Sequence, residues 1–142
     1  MKICITGMSG LVARNLTKQL HELGHEVIGL SRKENVSKGI YRWDIEESYI
    51  DPKALENVDG FINLAGDNVS DGRWNASKKK SIYESRVKGT ELLVRNILEM
   101  EKKPGFLINA SAIGFYGSRG DLLCDENSPH GEDYLSKVCI DW

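Results

Sequence analysis

Short apolar runs alternate along this chain with segments of helical period, the pattern of a parallel sheet wrapped by crossover helices. Ile3-Cys4-Ile5-Thr6 is an apolar run that stops at Gly7 and passes into Val12, Leu16, Leu20 and Leu23, a helical stripe with Gly24 as its stop. Glu26-Val27-Ile28-Gly29-Leu30-Ser31 predicts a second buried strand, and Ile40-Tyr41-Arg42-Trp43 a third that ends at Asp44. Asp51 as cap and Pro52 at the first helical position predict a short helix over 52–57. Gly60-Phe61-Ile62-Asn63-Leu64-Ala65-Gly66 follows as a fourth strand with small residues at its carboxyl end. Residues 76–103 carry the longest helical pattern, with Ile82, Leu93, Ile97 and Met100 on one stripe, Gly89 as a close-approach position and Pro104-Gly105 as its end. Phe106-Leu107-Ile108-Asn109-Ala110 predicts the fifth strand. Residues 118–131 are polar and turn-rich, and a further helix opens near Glu132 or Asp133. The expected fold class is α/β, a doubly wound parallel sheet in the order 3-2-1-4-5, with a ligand crevice across the carboxyl ends of strands 1 and 4.

Composition narrows the picture only modestly. With 142 residues, 40% of them hydrophobic, one domain over 1–142 is expected. A net charge of -2, from 19 basic and 21 acidic residues, gives no reason to expect nucleic acid or an anionic membrane as partner. Lys78-Lys79-Lys80 reads as the solvated first turn of the long helix. The three cysteines, Cys4, Cys124 and Cys139, stand at unrelated spacings and suggest neither disulfides nor a metal. With no apolar leader and no run of ~18 apolar residues, a cytoplasmic protein is expected. His21-Glu22-Leu23-Gly24-His25 matches the zinc-protease pattern H-E-x-x-H, but Gly24 ends the helix and drops His25 into a turn. No metal is expected.

The candidate chemistry lies in the first turn. Gly7, Gly10 and Ala13 follow G-x-x-G-x-x-A after a strand and into a helix. In this Rossmann-like arrangement Gly7 permits the tight turn, Gly10 lets backbone approach a pyrophosphate, and Ala13 lets the helix lie close on the strand. Ser9 lies between the glycines, and the amides around Leu11 and Val12 then offer N–H groups and the positive end of the helix dipole to the phosphates. At the tip of the second strand an acidic residue would select NAD. Ser31, Arg32 and Lys33 stand there instead, a hydroxyl and two cations that suit the 2′-phosphate of NADP, so NADP is favoured over NAD. The bland alternative is a solvated basic loop. Asp44 either accepts from the adenine amino group or caps the next turn. Leu64, Ala65 and Gly66 leave room for a cofactor ribose.

With these pieces in order, the chain resembles the short-chain dehydrogenase/reductase superfamily in its extended NAD(P)-dependent epimerase/dehydratase branch. Within that branch it is similar to the sugar-nucleotide-epimerase-like family, some members of which carry a cell-division-inhibitor label. The residues that carry the resemblance are Thr6-Gly7-Met8-Ser9-Gly10, Gly24-His25-Glu26-Val27, Ser31-Arg32, Trp43-Asp44, Asn63-Leu64-Ala65-Gly66, Arg73-Trp74, Lys79, Ser85-Arg86, Ser111-Ala112 with Tyr116-Gly117, and Asp125-Glu126-Asn127-Ser128-Pro129. Members of that family are longer. The resemblance therefore implies an amino-terminal portion, ending before the later strands and a substrate domain, and a homodimer through the long helix 76–103.

The superfamily uses an orienting serine, an acid/base tyrosine and a lysine four residues later. On that pattern the serine position falls on Ala112, leaving Ser111 one residue early; the tyrosine is Tyr134, with Val138 four residues on and Lys137 at three. Ser111, Tyr134 and Lys137 are thus the catalytic candidates, in a displaced triad. Arg73 and Arg86 are candidates for an anionic small-molecule substrate. Two functions follow as expectations: an NADP-dependent oxidoreductase or epimerase acting on a sugar-nucleotide-like or other small carbonyl or hydroxyl substrate by hydride transfer, or a catalytically silent dinucleotide-binding sensor or interaction module.

Overall fold

The computed structural model describes residues 1–142, which divide into two compact units, 1–110 and 111–142. The first unit carries a six-stranded sheet. Its elements in chain order are β1 (Lys2–Thr6), α1 (Leu11–Glu22), β2 (Glu26–Ser31), β3 (Ile40–Asp44), β4 (Tyr49–Ile50), β5 (Gly60–Asn63), α2 (Ala76–Glu99) and β6 (Phe106–Asn109). The strands lie in the order β4-β3-β2-β1-β5-β6. All neighbours are parallel except β3 and β4, which run antiparallel with Trp43 opposite Ile50.

Removing β4 from that list leaves the predicted five-strand order. The edge strand itself is a correction, because two residues show no period to read, and only pairing with β3 defines them. The helix expected over 52–57 is a single 3-10 turn, Pro52–Ala54, although Asp51 does cap it by accepting from the Lys53 amide at 2.9 Å. The long helix ends at Glu99 rather than 103, where Met100 leaves helical dihedrals.

Alternation along the strands divides the core into two faces. Cys4, Ile28, Leu30, Trp43 and Phe61 pack with Leu92, Leu93 and Ile97 of α2. Ile3, Ile5, Val27 and Ile62 point the other way and pack with Ala13, Leu16 and Leu20 of α1. The predicted stripe of α1 is corrected at both ends: Val12 and Leu23 are exposed, while Ala13 is buried. On α2, Gly89 is the close-approach position, since a Cβ there would lie 3.2 Å from Ile45 Cδ1 and 3.4 Å from the Trp43 ring.

The second unit holds a 3-10 turn, Ile113–Tyr116, and α3 (Tyr134–Asp141). Asp133 caps α3, accepting from the Ser136 amide at 2.9 Å, and the buried Ser136 hydroxyl donates to the Gly114 carbonyl at 3.0 Å. The Arg119 guanidinium gathers the loop by donating to the carbonyls of Tyr116, Pro129 and His130.

Candidate dinucleotide site

β1 delivers its last residue, Thr6, fully buried at the carboxyl end of the sheet. A buried hydroxyl has to find partners. Thr6 Oγ1 donates to Asn63 Oδ1 at 2.6 Å and accepts the amides of Leu64 at 3.0 Å and Ala65 at 2.9 Å. The Asn63 amide group then donates to Thr90 Oγ1 at 2.9 Å and to Asn109 Oδ1 at 2.6 Å. One connected network thus fastens β1, β5, β6 and α2 at the end of the sheet where the predicted crevice opens.

The chain leaves Thr6 through Gly7, whose φ of +72° is unfavourable for any residue with a Cβ. Space excludes one as well: a Cβ at Gly7 would lie 2.8 Å from the Leu64 carbonyl oxygen and 3.1 Å from Ala65 Cα. The glycine turn and the loop after β5 are therefore in direct backbone contact. Gly10 donates to the Gly7 carbonyl at 2.9 Å and stands at the N-cap of α1, where no side chain caps the helix. The first-turn amides and the positive end of the helix are left for an anion, a donor set that fits a pyrophosphate. Ser9, Leu11 and Val12 are exposed at this mouth, Leu11 by 70% and Val12 by 63%, while Ala13 is buried against the sheet. Met8 locks the turn to β2: its side chain lies over Gly29, where a Cβ would come within 2.3 Å of Met8 Cγ, and Thr17 donates to its sulfur at 3.7 Å.

At the tip of β2, Ser31 accepts from the Lys33 amide at 3.3 Å, and Arg32 and Lys33 are exposed. At the tip of β3, Asp44 Oδ1 caps the following turn by accepting the amides of Glu46 at 3.0 Å and Glu47 at 3.2 Å, and Oδ2 pairs with Arg42 at 3.2 Å. These bonds, that of the Glu47 amide foremost, hold the Asp44 carboxyl below the usual carboxylate range.

Beyond Ala65 the loop is gripped from α2. The Asp67 amide donates to Ser85 Oγ at 2.9 Å, its carbonyl accepts from Arg86 at 3.0 Å, and its carboxylate pairs with Lys78 at 2.8 Å. The Lys78 ammonium lowers the Asp67 pKa. Arg86 lies so close to Gly66 that a Cβ there would come within 2.9 Å of its guanidinium carbon. Arg73 is exposed in the loop before α2. Reasoning from sequence gave no role in the site to Thr6, Asn63 and Ser85, which it named only within strands or for the family resemblance, and passed over Thr90, Asn109 and Asp67. A legible signal existed for three of them: Thr6, Asn63 and Asn109 are polar residues ending otherwise apolar strands, and the pairings Thr6↔Asn63 and Asn63↔Asn109 put them in register.

The catalytic candidates all lie in the second unit. Ser111 is exposed ahead of the 3-10 turn; Tyr134 is half-buried as the first residue of α3; Lys137 is exposed, and Val138 is buried at 1% exposure. The position four residues after Tyr134 is therefore buried, whereas Lys137 stands at the surface. His25 lies beyond the end of α1, separated from it by Gly24 at φ +79°, so the two histidines of H-E-x-x-H do not share a helix face. No helix is long and apolar enough to cross a membrane.

Residues 3–142 match the NAD dependent epimerase/dehydratase family. An epimerase family protein of Mycobacterium bovis is 36% identical over 140 residues, covering 99% of this chain and 46% of the relative. The chain thus spans about half the length of the curated relatives it matches. Among solved structures, the human epimerase family protein SDR39U1 with NADPH superposes over the whole chain and 47% of its own, at 30% identity and a TM-score of 0.88. A nucleoside-diphosphate sugar epimerase from Corynebacterium glutamicum does so at 40% identity and a TM-score of 0.82, over 100% of this chain and 29% of that one. MoeE5 in complex with UDP-glucose and NAD shares the fold at 17% identity, with a TM-score of 0.77 over 99% of this chain and 46% of its own. A glycine turn opening an uncapped helix at the centre of a doubly wound sheet, matched from residue 3 to residue 142, makes this chain a member of the NAD dependent epimerase/dehydratase family.

Proposed function

We propose that this chain binds NADP as the dinucleotide-binding part of an oxidoreductase or epimerase whose substrate is sugar-nucleotide-like or another small carbonyl or hydroxyl compound. The observation that carries the reading is the α1 amino terminus, which no side chain caps, set behind a left-handed Gly7 that has no room for a side chain. Gly7, Ser9, Gly10 and the amides of Leu11 and Val12 hold the pyrophosphate, and the exposed Leu11 and Val12 side chains are covered by the ligand. Ser31 and Arg32 take the 2′-phosphate. Asp44 accepts from adenine through Oδ2, which it shares with Arg42. Leu64, Ala65 and Gly66 bound the ribose, and Arg73 and Arg86 are the cations for an anionic substrate. When bound, the nicotinamide supplies or accepts the hydride; Ser111 orients the substrate, Tyr134 exchanges the proton and Lys137 favours the ionised phenol. The NADPH bound by the human relative supports the choice of NADP. The protein is expected to act as a homodimer through α2.

A second reading, a dinucleotide-binding sensor without turnover, draws on one observation. Val138 occupies the buried position where an acid/base lysine would be expected, leaving Lys137 displaced at the surface. Calorimetric titration with NADPH and NADH, on this chain and on Arg32→Ala, tests both readings at their common root. NADPH is expected to bind more tightly than NADH, and Arg32→Ala to weaken NADPH about tenfold while leaving NADH unchanged, since one charge-assisted contact contributes roughly 1.5 kcal/mol. A folded chain that binds neither nucleotide overturns both.

A further inference from the structure

The loop after β5 is held in an unusual way for a connection at the mouth of a ligand crevice. Its amides at Leu64 and Ala65 are taken from below by Thr6, and those bonds join it to the glycine turn. Its far end is taken by α2 at three points of one residue: Ser85 accepts the Asp67 amide, Arg86 donates to the Asp67 carbonyl, and Lys78 pairs with the Asp67 carboxylate. Arg86 is itself braced by donating to the Ile82 carbonyl at 3.2 Å, and Ser85 likewise donates to that carbonyl at 3.2 Å. The guanidinium covers the position where Gly66 lacks a side chain. The Lys78 side chain is 14% exposed and that of Asp67 30%, so the pair is partly sheltered and screened less than a fully exposed one.

We infer that Arg86 is a positioning residue: with Ser85 and Lys78 it clamps Asp67, and the clamp fixes the loop 64–67 against the glycine turn at the spacing the dinucleotide requires. This inference rests on the dinucleotide reading above and revises its assignment of Arg86 to substrate. The physical reason is geometric. The Gly7 turn touches Leu64 and Ala65 directly, so a loop that swings outward at Asp67 changes the width of the crevice at the turn. Arg86 Nη1 donates to the carbonyls of Asp67 and Ile82 at once, so one guanidinium nitrogen ties the loop to the helix backbone. The net charge of the clamp, two cations on one carboxylate, also leaves positive charge beside a site proposed to hold an anion.

The test is titration of NADPH into the unaltered chain, Arg86→Ala and Ser85→Ala, with thermal unfolding of each variant without ligand and repetition of the Arg86→Ala titration in millimolar guanidinium. The expected result is about a tenfold weaker NADPH affinity for Arg86→Ala and a smaller loss for Ser85→Ala. Melting temperatures should stay near that of the unaltered chain, and added guanidinium should restore part of the Arg86→Ala loss. Amide exchange at Asp67, measured without ligand, should accelerate in both variants. Unchanged affinity in Arg86→Ala overturns the inference. So does a loss of affinity that guanidinium does not recover and that follows a fall in melting temperature, because the arginine would then only support the fold. Should Arg86→Ala not fold, Ser85→Ala decides: an affinity equal to that of the unaltered chain overturns the clamp. If the unaltered chain binds no dinucleotide, the functional reading fails first and takes the inference with it, whereas binding by the unaltered chain with indifferent variants sinks the clamp alone.

Discussion

Thr6 and Asn63 in the first unit are exposed by no more than 1%, with each of their side-chain polar atoms bonded, whereas Leu123 and Ile113 in the second unit are exposed by 100% and 88%. The contrast shows two ways of using surface. Polar groups survive burial only when every one finds a partner, and a network that achieves this holds its elements in one arrangement. The carboxyl end of the first unit's sheet is built in that manner, so β1, β5, β6 and α2 are tied together there. In the second unit the backbone is held by the Asp133 cap and by Arg119, and the adjacent Leu122 and Leu123, exposed by 74% and 100%, offer apolar surface for association, as single exposed apolar residues of the first unit do to a lesser degree.

The contrast is broken most severely at Gly7. Gly7→Ala meets both a left-handed backbone, at about 1–2 kcal/mol, and the Leu64 carbonyl. It should abolish measurable dinucleotide binding in calorimetry and lower the melting temperature. A variant that binds NADPH normally would show that the turn is no cradle. Asn63→Ala should come next, because it strips partners from Thr6, Thr90 and Asn109 together. Of the three only Thr6 is buried, so at about 1–3 kcal/mol for a buried group left unpaired urea unfolding should shift by about that amount, and a change under about 0.5 kcal/mol, the ordinary surface effect, would deny the network its role.

In the second unit the effects should be local and smaller. Asp133→Ala removes the cap of α3, and amide exchange should quicken at Ser136 while the sheet amides of the first unit keep their protection. The same carboxylate predicts an acid response. The Ser136 amide holds the Asp133 pKa below its ordinary value, so the charged form is favoured in the folded state. Its contribution is complete above the unfolded value of about 3.9 and is lost as pH falls through the lowered folded value. Acid titration of α3 amide protection should show that step in the unaltered chain and lack it in Asp133→Ala. The smallest effect on stability is expected for Leu123→Ser, within about 0.5 kcal/mol as for other surface changes. That variant should nonetheless reduce any self-association seen by sedimentation, and unchanged sedimentation of an associating chain would place the sticky surface elsewhere.

The glycine turn and the strands were legible because each is a local requirement written over a few residues: Gly7 at a positive φ, Ala13 against the sheet, short apolar runs bounded by turns. The stripe of α1 was misread at Val12 because an apolar period of three to four leaves the centre of the covered face uncertain by one residue, and in the first turn the residue turned to the sheet is the small Ala13. β4 was invisible for a related reason, since two residues have no period and become a strand only beside β3. Arg86 was legible as a cation on a long helix but not as a partner of the Asp67 carbonyl, nineteen positions away in the chain.

The amino-acid sequence by itself determined the order of the five parallel strands, the two helices beside them and the glycine turn that opens α1, because these follow from apolar runs, period and glycine within short windows. Tertiary structure alone decided which polar residues tie the carboxyl end of the sheet together. Thr6, Asn63, Thr90 and Asn109 meet only when parallel strands bring distant positions into register, and Asp67 is fixed only where α2 lays Lys78, Ser85 and Arg86 beside it. Such bonds depend on distance in space, which no spacing along the chain encodes.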